Sequence, residues 1–148
     1  MTKKYRHPVT ILSGFFLLLL DQTLKSLVRA RPEFSFAIIP RWLGWEYLAN
    51  PGVAVGQPIP NNVVVVLTPA VILLLVIFLS RNHHRPYHFL AVILILAGAV
   101  SNYLDRIFFG VAIDYFRVAT SIINLADILI VSGAGLLLLK KEPSQEPV

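Results

Sequence analysis

Four long stretches of apolar residues constrain this chain more than any other feature of its sequence. They cover about residues 8–28, 62–80, 88–109 and 121–140. Each approaches the roughly 20 residues that an α-helix needs to cross the ~30 Å hydrocarbon core of a bilayer. The sequence therefore predicts an all-α membrane protein, in which residues 1–148 form a single domain of four transmembrane helices.

The composition agrees with a membrane protein and argues against other classes. Of the 148 residues, 56% are hydrophobic and only 14% are charged, which is too apolar for the surface of a water-soluble domain. The absence of cysteine excludes disulfides and thiolate ligands or nucleophiles. The net charge of +5 does not indicate nucleic-acid binding, because the basic residues flank the apolar stretches and form no stripe with interleaved aromatics.

The distribution of positive charge predicts how the helices are oriented. Four crossings place both termini on one side, where the short segments hold seven Lys and Arg residues, against five in the segments on the other side. Because cytoplasmic segments are the more densely basic, we expect both termini in the cytoplasm and loop 29–61 outside. No cleavage site follows the first stretch, so we expect it to be a retained helix and not a secretory signal.

The two regions outside the helices have different characters. Loop 29–61 is rich in aromatic residues of the kind that occupy membrane interfaces. We expect it to fold on the membrane surface, partly as short β-strands or an amphipathic turn, with an ordinary connecting loop as the alternative. The tail 142–148 is polar and contains proline, and we expect it to be disordered.

Aspartates lie within or beside three of the apolar stretches. They are Asp21, Asp105, Asp114 and Asp127. An ionisable group in a membrane helix costs at least ~2.5 kcal/mol on insertion scales, so each requires a reason. In the expected orientation all four fall in one layer near the outer surface, with Asp21 and Asp127 roughly 10 Å below it at a rise of about 1.5 Å per residue. Polar residues share this layer, namely Asn50, Asn102, Arg106 and Asn124.

Ion pairing is the simplest explanation for two of these carboxylates. Asp21 precedes Lys25 by one helical turn, and Asp105 is adjacent to Arg106. Such pairs can hold helices together without any catalytic role. The sequence therefore favours a structural role for both pairs.

Asp114 and Asp127 are harder to explain as structural residues. Neither has a cation at helical spacing, although Arg117 is near enough in sequence to pair with Asp114. Two carboxylates without dedicated counter-ions can share one proton, so that one acts as a base and the other as an acid. Three histidines, at 83, 84 and 88, surround Pro86, and we do not expect a metal site there.

Five sequence blocks resemble the lipoprotein signal peptidase (signal peptidase II) family and occur in the family's order. The blocks are Asp21-Gln22-Thr23-Leu24-Lys25, Asn50-Pro51-Gly52-Val53-Ala54, Ser101-Asn102-Tyr103-Leu104-Asp105-Arg106, Val111-Ala112-Ile113-Asp114-Tyr115-Phe116 and Asn124-Leu125-Ala126-Asp127. The resemblance covers roughly residues 8–140. It implies an aspartic endopeptidase of the bacterial inner membrane that needs no cofactor. The implied substrates are diacylglyceryl-modified prolipoproteins, cleaved on the amino side of the lipidated cysteine.

The resemblance also implies roles for particular residues. By motif match, Asp114 and Asp127 are the catalytic pair. The other matched positions are expected to support the site or position the substrate: Asn50, Gly52, Asn102, Asp105, Arg106, Asn124, Asp21 and Lys25. We further expect a monomer surrounded by membrane lipids, with no metal and no nucleic-acid partner, that is inhibited by globomycin.

The chain departs from the family pattern at four positions. Leu24, Val55, Ser101 and Ile123 replace the Thr or Ser, Phe, Gly and Phe that are usual there. They bear on substrate preference and efficiency, and they leave a divergent non-catalytic paralogue or membrane scaffold as an alternative. A proton or cation pathway is less favoured, because the inner halves of the helices supply no polar groups to continue it.

Overall fold

The structure is a computed structural model that describes residues 6–52 and 59–139. Within these residues the chain forms α1 (Arg6–Ala30), β1 (Phe36–Ile39), β2 (Leu43–Asn50), α2 (Asn61–Asn82), α3 (Pro86–Phe109), β3 (Ala112–Val118), β4 (Ser121–Ile123) and α4 (Leu125–Leu139). Each predicted apolar stretch thus contains a helix. Val55 and the predicted disordered tail 142–148 lie outside the described residues.

Helices α1, α2 and α3 are long and apolar enough to cross a membrane. The described part of α4 has 15 residues; it is also apolar but shorter. Large apolar side chains, such as Phe16 at 63% and Leu74 at 66% exposed, cover the outer surfaces of these helices. An apolar exterior of this extent is compatible with lipid and not with water, so the chain is an integral membrane protein.

The strands belong to one antiparallel sheet with the order β1-β2-β3-β4. The strands β1 and β2 confirm the predicted β-segment after the first helix. The other half of the sheet comes from the connection between α3 and α4, so the all-α prediction is wrong for that segment, and the last helix begins at Leu125 instead of residue 121. Apolar content alone does not distinguish a short buried strand from the start of a helix.

Helix α3 ends where this sheet begins. Gly110 has a left-handed conformation (φ 74°) and donates its N–H to the Arg106 carbonyl, a common way for a helix to stop. The following segment is rich in β-branched and aromatic residues and pairs with β2, with Ala112 opposite Asn50 and Leu48 opposite Asp114. This pairing brings the loop after α1 and the segment after α3 together.

The sheet and helices pack around two centres. Val28 of α1 and Ile113 and Tyr115 of β3 form a small core under the sheet, and the Trp45 ring lies 5.0 Å from that of Tyr115. Among the helices, α3 packs against α1, α2 and α4. Helix α2 contains no buried residue and forms an outer wall of the bundle.

Candidate active site

The predicted site residues come together where α1, α3, β3 and the start of α4 meet. Asp21, Asp105 and Asp114 are each at most 1% exposed. Hydrogen bonds across the elements join them, for example from the Ala126 N–H to Asp21 at 3.2 Å and from the Ile113 N–H to Asp105 at 3.1 Å. The structure therefore collects all four aspartates into one cluster.

Lys25 is a buried cation at the centre of this cluster. Its ammonium group lies 2.7 Å from Asp21 and 2.8 Å from Asp105, and it is 1% exposed. The predicted Asp21–Lys25 pair is confirmed, but the predicted Asp105–Arg106 pair is wrong. Successive residues on an α-helix point about 100° apart, so Asp105 faces α1 while Arg106 faces away from it.

Asp21, Lys25 and Asp105 form an ion triad, and neutral donors supply further hydrogen bonds to its two carboxylates. Asp21 accepts hydrogen bonds from Ser101 Oγ at 2.5 Å and from the Tyr115 hydroxyl at 2.9 Å. Gln22 Nε2 donates to Asp105 at 3.0 Å. Burial, and then the charge of Asp21, raise the pKa of the Tyr115 phenol, so it remains a donor. Gln22 and Tyr115 belong to the family blocks, but no spacing rule singled them out.

Asp114 lies in the middle of β3, and its side-chain donors among residues 6–52 and 59–139 are all neutral. Asn50 Nδ2 donates to one carboxylate oxygen at 2.8 Å, and Asn124 Nδ2 donates to the other at 2.6 Å. Burial raises the pKa of Asp114 to about 6; the nearby charge of Asp127 adds to the rise, and the hydrogen bond from Asn50 opposes it. With this pKa, both the protonated and the ionised forms of the Asp114 carboxyl group are populated near neutral pH.

The possible Asp114–Arg117 pair is not present. Arg117 instead bonds Glu46 on β2, with Nε 2.8 Å from the carboxylate. Side chains along a strand alternate between its two faces, and residues three positions apart therefore point in opposite directions. Arg117 and Asp114 therefore lie on opposite faces of β3.

Asp127 lies in the first turn of α4 and is held from two sides. Asn102 Nδ2 donates to it at 2.9 Å, and the backbone N–H of Asn124 donates to its other oxygen at 3.3 Å. The side-chain oxygen of Asn124 accepts from the Asp127 N–H at 2.9 Å, which completes a reciprocal cap at the helix start. Lys25 Nζ donates to Asn102 at 2.8 Å, and so connects the ion triad to Asp127.

A cavity of about 740 Å³ opens beside this cluster, between α2, α3 and α4. Asp127 and Asn102 line it directly, and Asp114 is joined to its wall through Asn50. The remaining wall is mainly apolar and includes Val63, Leu67, Val71, Ile95, Ile128 and Val131. Arg106 also lines the cavity. It donates to the Gly52 carbonyl and, at 3.2 Å, to the side chain of Asn61. Asn61 was not among the residues that the sequence predicted for the site.

The fold and the site together define a membrane-embedded helical protein with a buried carboxylate cluster at the edge of an apolar cavity. The sequence profile described as signal peptidase (SPase) II matches residues 14–141. The chain belongs to the signal peptidase II family, which confirms the resemblance inferred from the five blocks, and it is a peptidase of that family.

Similar proteins support this assignment. The lipoprotein signal peptidase of Moorella thermoacetica is 31% identical over 148 aligned positions, which cover 93% of this chain and 98% of the relative. That of Sinorhizobium fredii is 46% identical over 55 residues, covering 34% of this chain and 33% of the relative.

Two solved structures share the fold. One is a bacterial membrane enzyme determined by the in meso method at 2.3 Å resolution. It has a TM-score of 0.81 and 24% identity, and the match covers 94% of this chain and 95% of the other. The second, determined at 1.9 Å by the same method, has a TM-score of 0.79 and 25% identity over 89% of this chain and 91% of the other.

Proposed function

We propose that this chain is an aspartic endopeptidase that removes signal peptides from diacylglyceryl-modified prolipoproteins, with Asp114 and Asp127 as its catalytic residues. Membership of the signal peptidase II family supports the processing of prolipoproteins. The observation that carries the aspartic mechanism is that both carboxylates bond to the same asparagine, Asn124, and neither has a cation of its own among the described residues.

The mechanism follows from two carboxyl groups with unequal proton affinity. The ionised member removes a proton from a water molecule, which attacks the carbonyl carbon on the amino side of the lipidated cysteine. The protonated member donates its proton to the carbonyl oxygen, which gives a tetrahedral diol. The first carboxyl group, which now holds the proton from water, donates it to the leaving amine as the C–N bond breaks, while the second takes a proton back from a diol hydroxyl. The raised pKa of Asp114 favours it as the protonated member at the start, although the pair titrates as a unit.

Asn50 has a further role in this proposal. Its amide group carries two N–H bonds, of which one is used on Asp114 at 2.8 Å. Because Asn50 also lines the cavity, the second N–H is available to the substrate backbone or to the oxyanion of the tetrahedral intermediate. The two catalytic carboxylates are held in place by the surrounding polar residues, namely Asn102, Asn124, Asp21, Asp105 and Lys25.

The apolar cavity suits the proposed substrate. A lipidated cysteine is held at headgroup depth by its acyl chains, and the signal peptide that precedes it is an apolar helix. The wall formed by α2, α3 and α4 offers apolar surface for such groups next to Asp127. We propose the bacterial inner membrane as the location, with four transmembrane helices, both termini in the cytoplasm, a monomeric state and the active site near the outer face.

Substitution of the two aspartates tests the mechanism. We expect Asp114→Asn and Asp127→Asn each to reduce processing of a lipid-modified prolipoprotein by roughly 10²- to 10⁴-fold, because each removes one proton-transfer group. Maturation is followed by gel mobility with purified protein, and thermal unfolding in detergent reports whether each variant is folded. Glu33→Gln removes an exposed carboxylate and is the matched control.

Processing at the parent rate by either aspartate variant would show that the catalytic assignment is wrong. Inhibition by globomycin, which is expected from the family resemblance, gives an independent check on the parent protein.

A further inference from the structure

Arg106 is a buried cation beside the catalytic carboxylates, and its hydrogen bonds go to neutral oxygen atoms. The residue is 6% exposed. Its Nη1 donates to the Asn61 side chain at 3.2 Å, and its Nη2 donates to the Gly52 carbonyl. Asn61 Nδ2 returns a hydrogen bond to the Arg106 carbonyl at 3.4 Å, so the two residues bind each other reciprocally.

The hydrogen-bond partners of Arg106 matter because the carboxylates of Asp114 and Asp127 are close to its guanidinium group. Arg106 interacts electrostatically with both Asp114 and Asp127, yet within residues 6–52 and 59–139 it forms an ion pair with neither. A direct guanidinium–carboxylate bond lowers the pKa of an aspartate by roughly 1–3 units. Such a bond would fix that aspartate in the ionised form and remove the proton that the pair must share.

The same contacts also position Asn50. The Gly52 carbonyl is bound by Arg106, and the Gly52 N–H donates to the side-chain oxygen of Asn50 at 3.0 Å. That bond orients the Asn50 amide so that its nitrogen faces Asp114. Asn61, the first residue of α2, is therefore connected to the catalytic carboxylate through Arg106 and this turn.

We propose that Asn61 is a positioning residue that holds the Arg106 guanidinium away from Asp114 and Asp127 and so preserves their shared proton. The inference rests on the proposed aspartic mechanism and assigns a role to a residue outside the family blocks. In the part of the chain that the structure describes, the charged groups that act on Asp114 are Asp127 from α4, Lys25 from α1 and Arg106 from α3. Those that act on Asp127 include Asp21 and Lys25 from α1 and Arg106. Of the two cations, Lys25 is bound by Asp21 and Asp105, so Arg106 is the one whose partners decide the protonation of the pair.

The pH dependence of peptidase activity tests this role. Asn61→Ala removes the acceptor, and we expect the guanidinium to turn toward a carboxylate and move the alkaline limb of the pH–rate profile down by about one unit. Above that limb kcat should fall about tenfold, since one unit changes the protonated fraction tenfold, with a smaller change in KM. Asn61→Asp keeps an acceptor for Arg106, so the alkaline limb of the pH–rate profile of this variant should not move to lower pH.

The controls separate this role from general damage to the fold. Asn62→Ala alters the exposed neighbour on the same helix and should keep the parent profile. If Asn61→Ala does not yield folded protein, Asn61→Ser provides the same test, because its shorter side chain withdraws the acceptor while keeping a polar residue at the helix start. An unshifted limb in the Ala or Ser variant, or an equal downward shift in Asn61→Asp, contradicts the inference.

Asp114→Asn, measured in parallel, distinguishes the two proposals. If Asp114→Asn is inactive while the Asn61 variant lacking the acceptor keeps the parent profile, only the role of Asn61 is wrong. If Asp114→Asn is active, the aspartic mechanism itself is wrong.

Discussion

Asn124 holds together the two carboxylates proposed to be catalytic. Its side-chain nitrogen donates to Asp114 at 2.6 Å and to Asn102 at 3.0 Å, and its backbone N–H donates to Asp127. The residue is fully buried, so these groups have no water to replace a lost partner. A single residue, through its side-chain and backbone amides, thus fixes the positions of these two carboxylates relative to each other.

Three departures from the family pattern have identifiable surroundings. Ser101 is buried, and its hydroxyl donates to Asp21 and accepts a hydrogen bond from Gln22 at 2.9 Å, which adds a donor to a triad with more negative than positive charge. Ile123 lines the cavity, and Leu24 packs against the core under the sheet. Of these, Ile123 is the one placed to affect which substrate groups fit.

The raised pKa of Asp114 predicts a pH-dependent stability. Between about pH 4 and 6 the folded protein binds a proton that the unfolded chain has released, so the free energy of unfolding falls as pH rises through this window. The loss should be up to roughly 3 kcal/mol, since one pKa unit corresponds to about 1.4 kcal/mol. Denaturant unfolding in detergent from pH 4 to 7 measures it.

Asp114→Asn should flatten this pH dependence, because the asparagine does not titrate. Glu33→Gln, at an exposed position, should keep the parent slope. Because other carboxyl groups also titrate in this range, the decisive quantity is the difference between the parent and Asp114→Asn. If the stability of the parent relative to this variant rises between pH 4 and 6, the direction of the Asp114 shift is wrong.

At the scale of elements, the close contact of α3 with α4 sets the position of Asp127. Gly98 of α3 lies against the Ala126 carbonyl, one residue before Asp127, and a Cβ at Gly98 would overlap that oxygen. Farther along, a Cβ at Gly133 of α4 would lie 2.5 Å from the Ala91 carbonyl. Because these contacts involve backbone atoms, α4 has little freedom to relax away from α3.

Gly98→Ala is therefore expected to impair activity by displacing α4. The added methyl group should destabilise the protein by about 1–3 kcal/mol and reduce processing, as overpacking does in a tight interior. Gly135→Ala is the matched control on α4, where nothing lies within 4 Å of an added Cβ. Unfolding and prolipoprotein processing by both variants are compared with the parent, and equal activity of the two variants would contradict the proposed coupling.

At the scale of the whole molecule, the proposed orientation places the carboxylate cluster near the outer face. The chain contains no cysteine, so single cysteines can report their side of the membrane without background. Glu33→Cys lies in the loop expected outside, and His84→Cys lies in the turn between α2 and α3 expected inside; both positions are exposed.

A membrane-impermeant maleimide applied to intact cells should label Glu33→Cys and not His84→Cys. Permeabilised cells, in which both variants should react, provide the control for reactivity. The reverse labelling pattern would place the site at the cytoplasmic face, where a substrate held at the outer headgroups does not reach it.

The sequence by itself determined the class of protein and indicated the residues of the candidate site. Apolar runs of spanning length require a bilayer as solvent, and a carboxylate within or beside such a run requires partners, so Asp21, Asp114 and Asp127 were recognisable from one chain. The blocks around them were distinctive enough to indicate the family, which the comparisons confirm.

Only the tertiary structure decided which groups pair. Asp105 bonds Lys25 and not its neighbour Arg106, and Arg117 bonds Glu46 across the sheet. Asn61 and the strand that carries Asp114 were likewise not apparent. Sequence spacing describes directions within one helix or strand, whereas a salt bridge or a strand pairing depends on distances between elements that are far apart in the chain, and these distances exist only after packing.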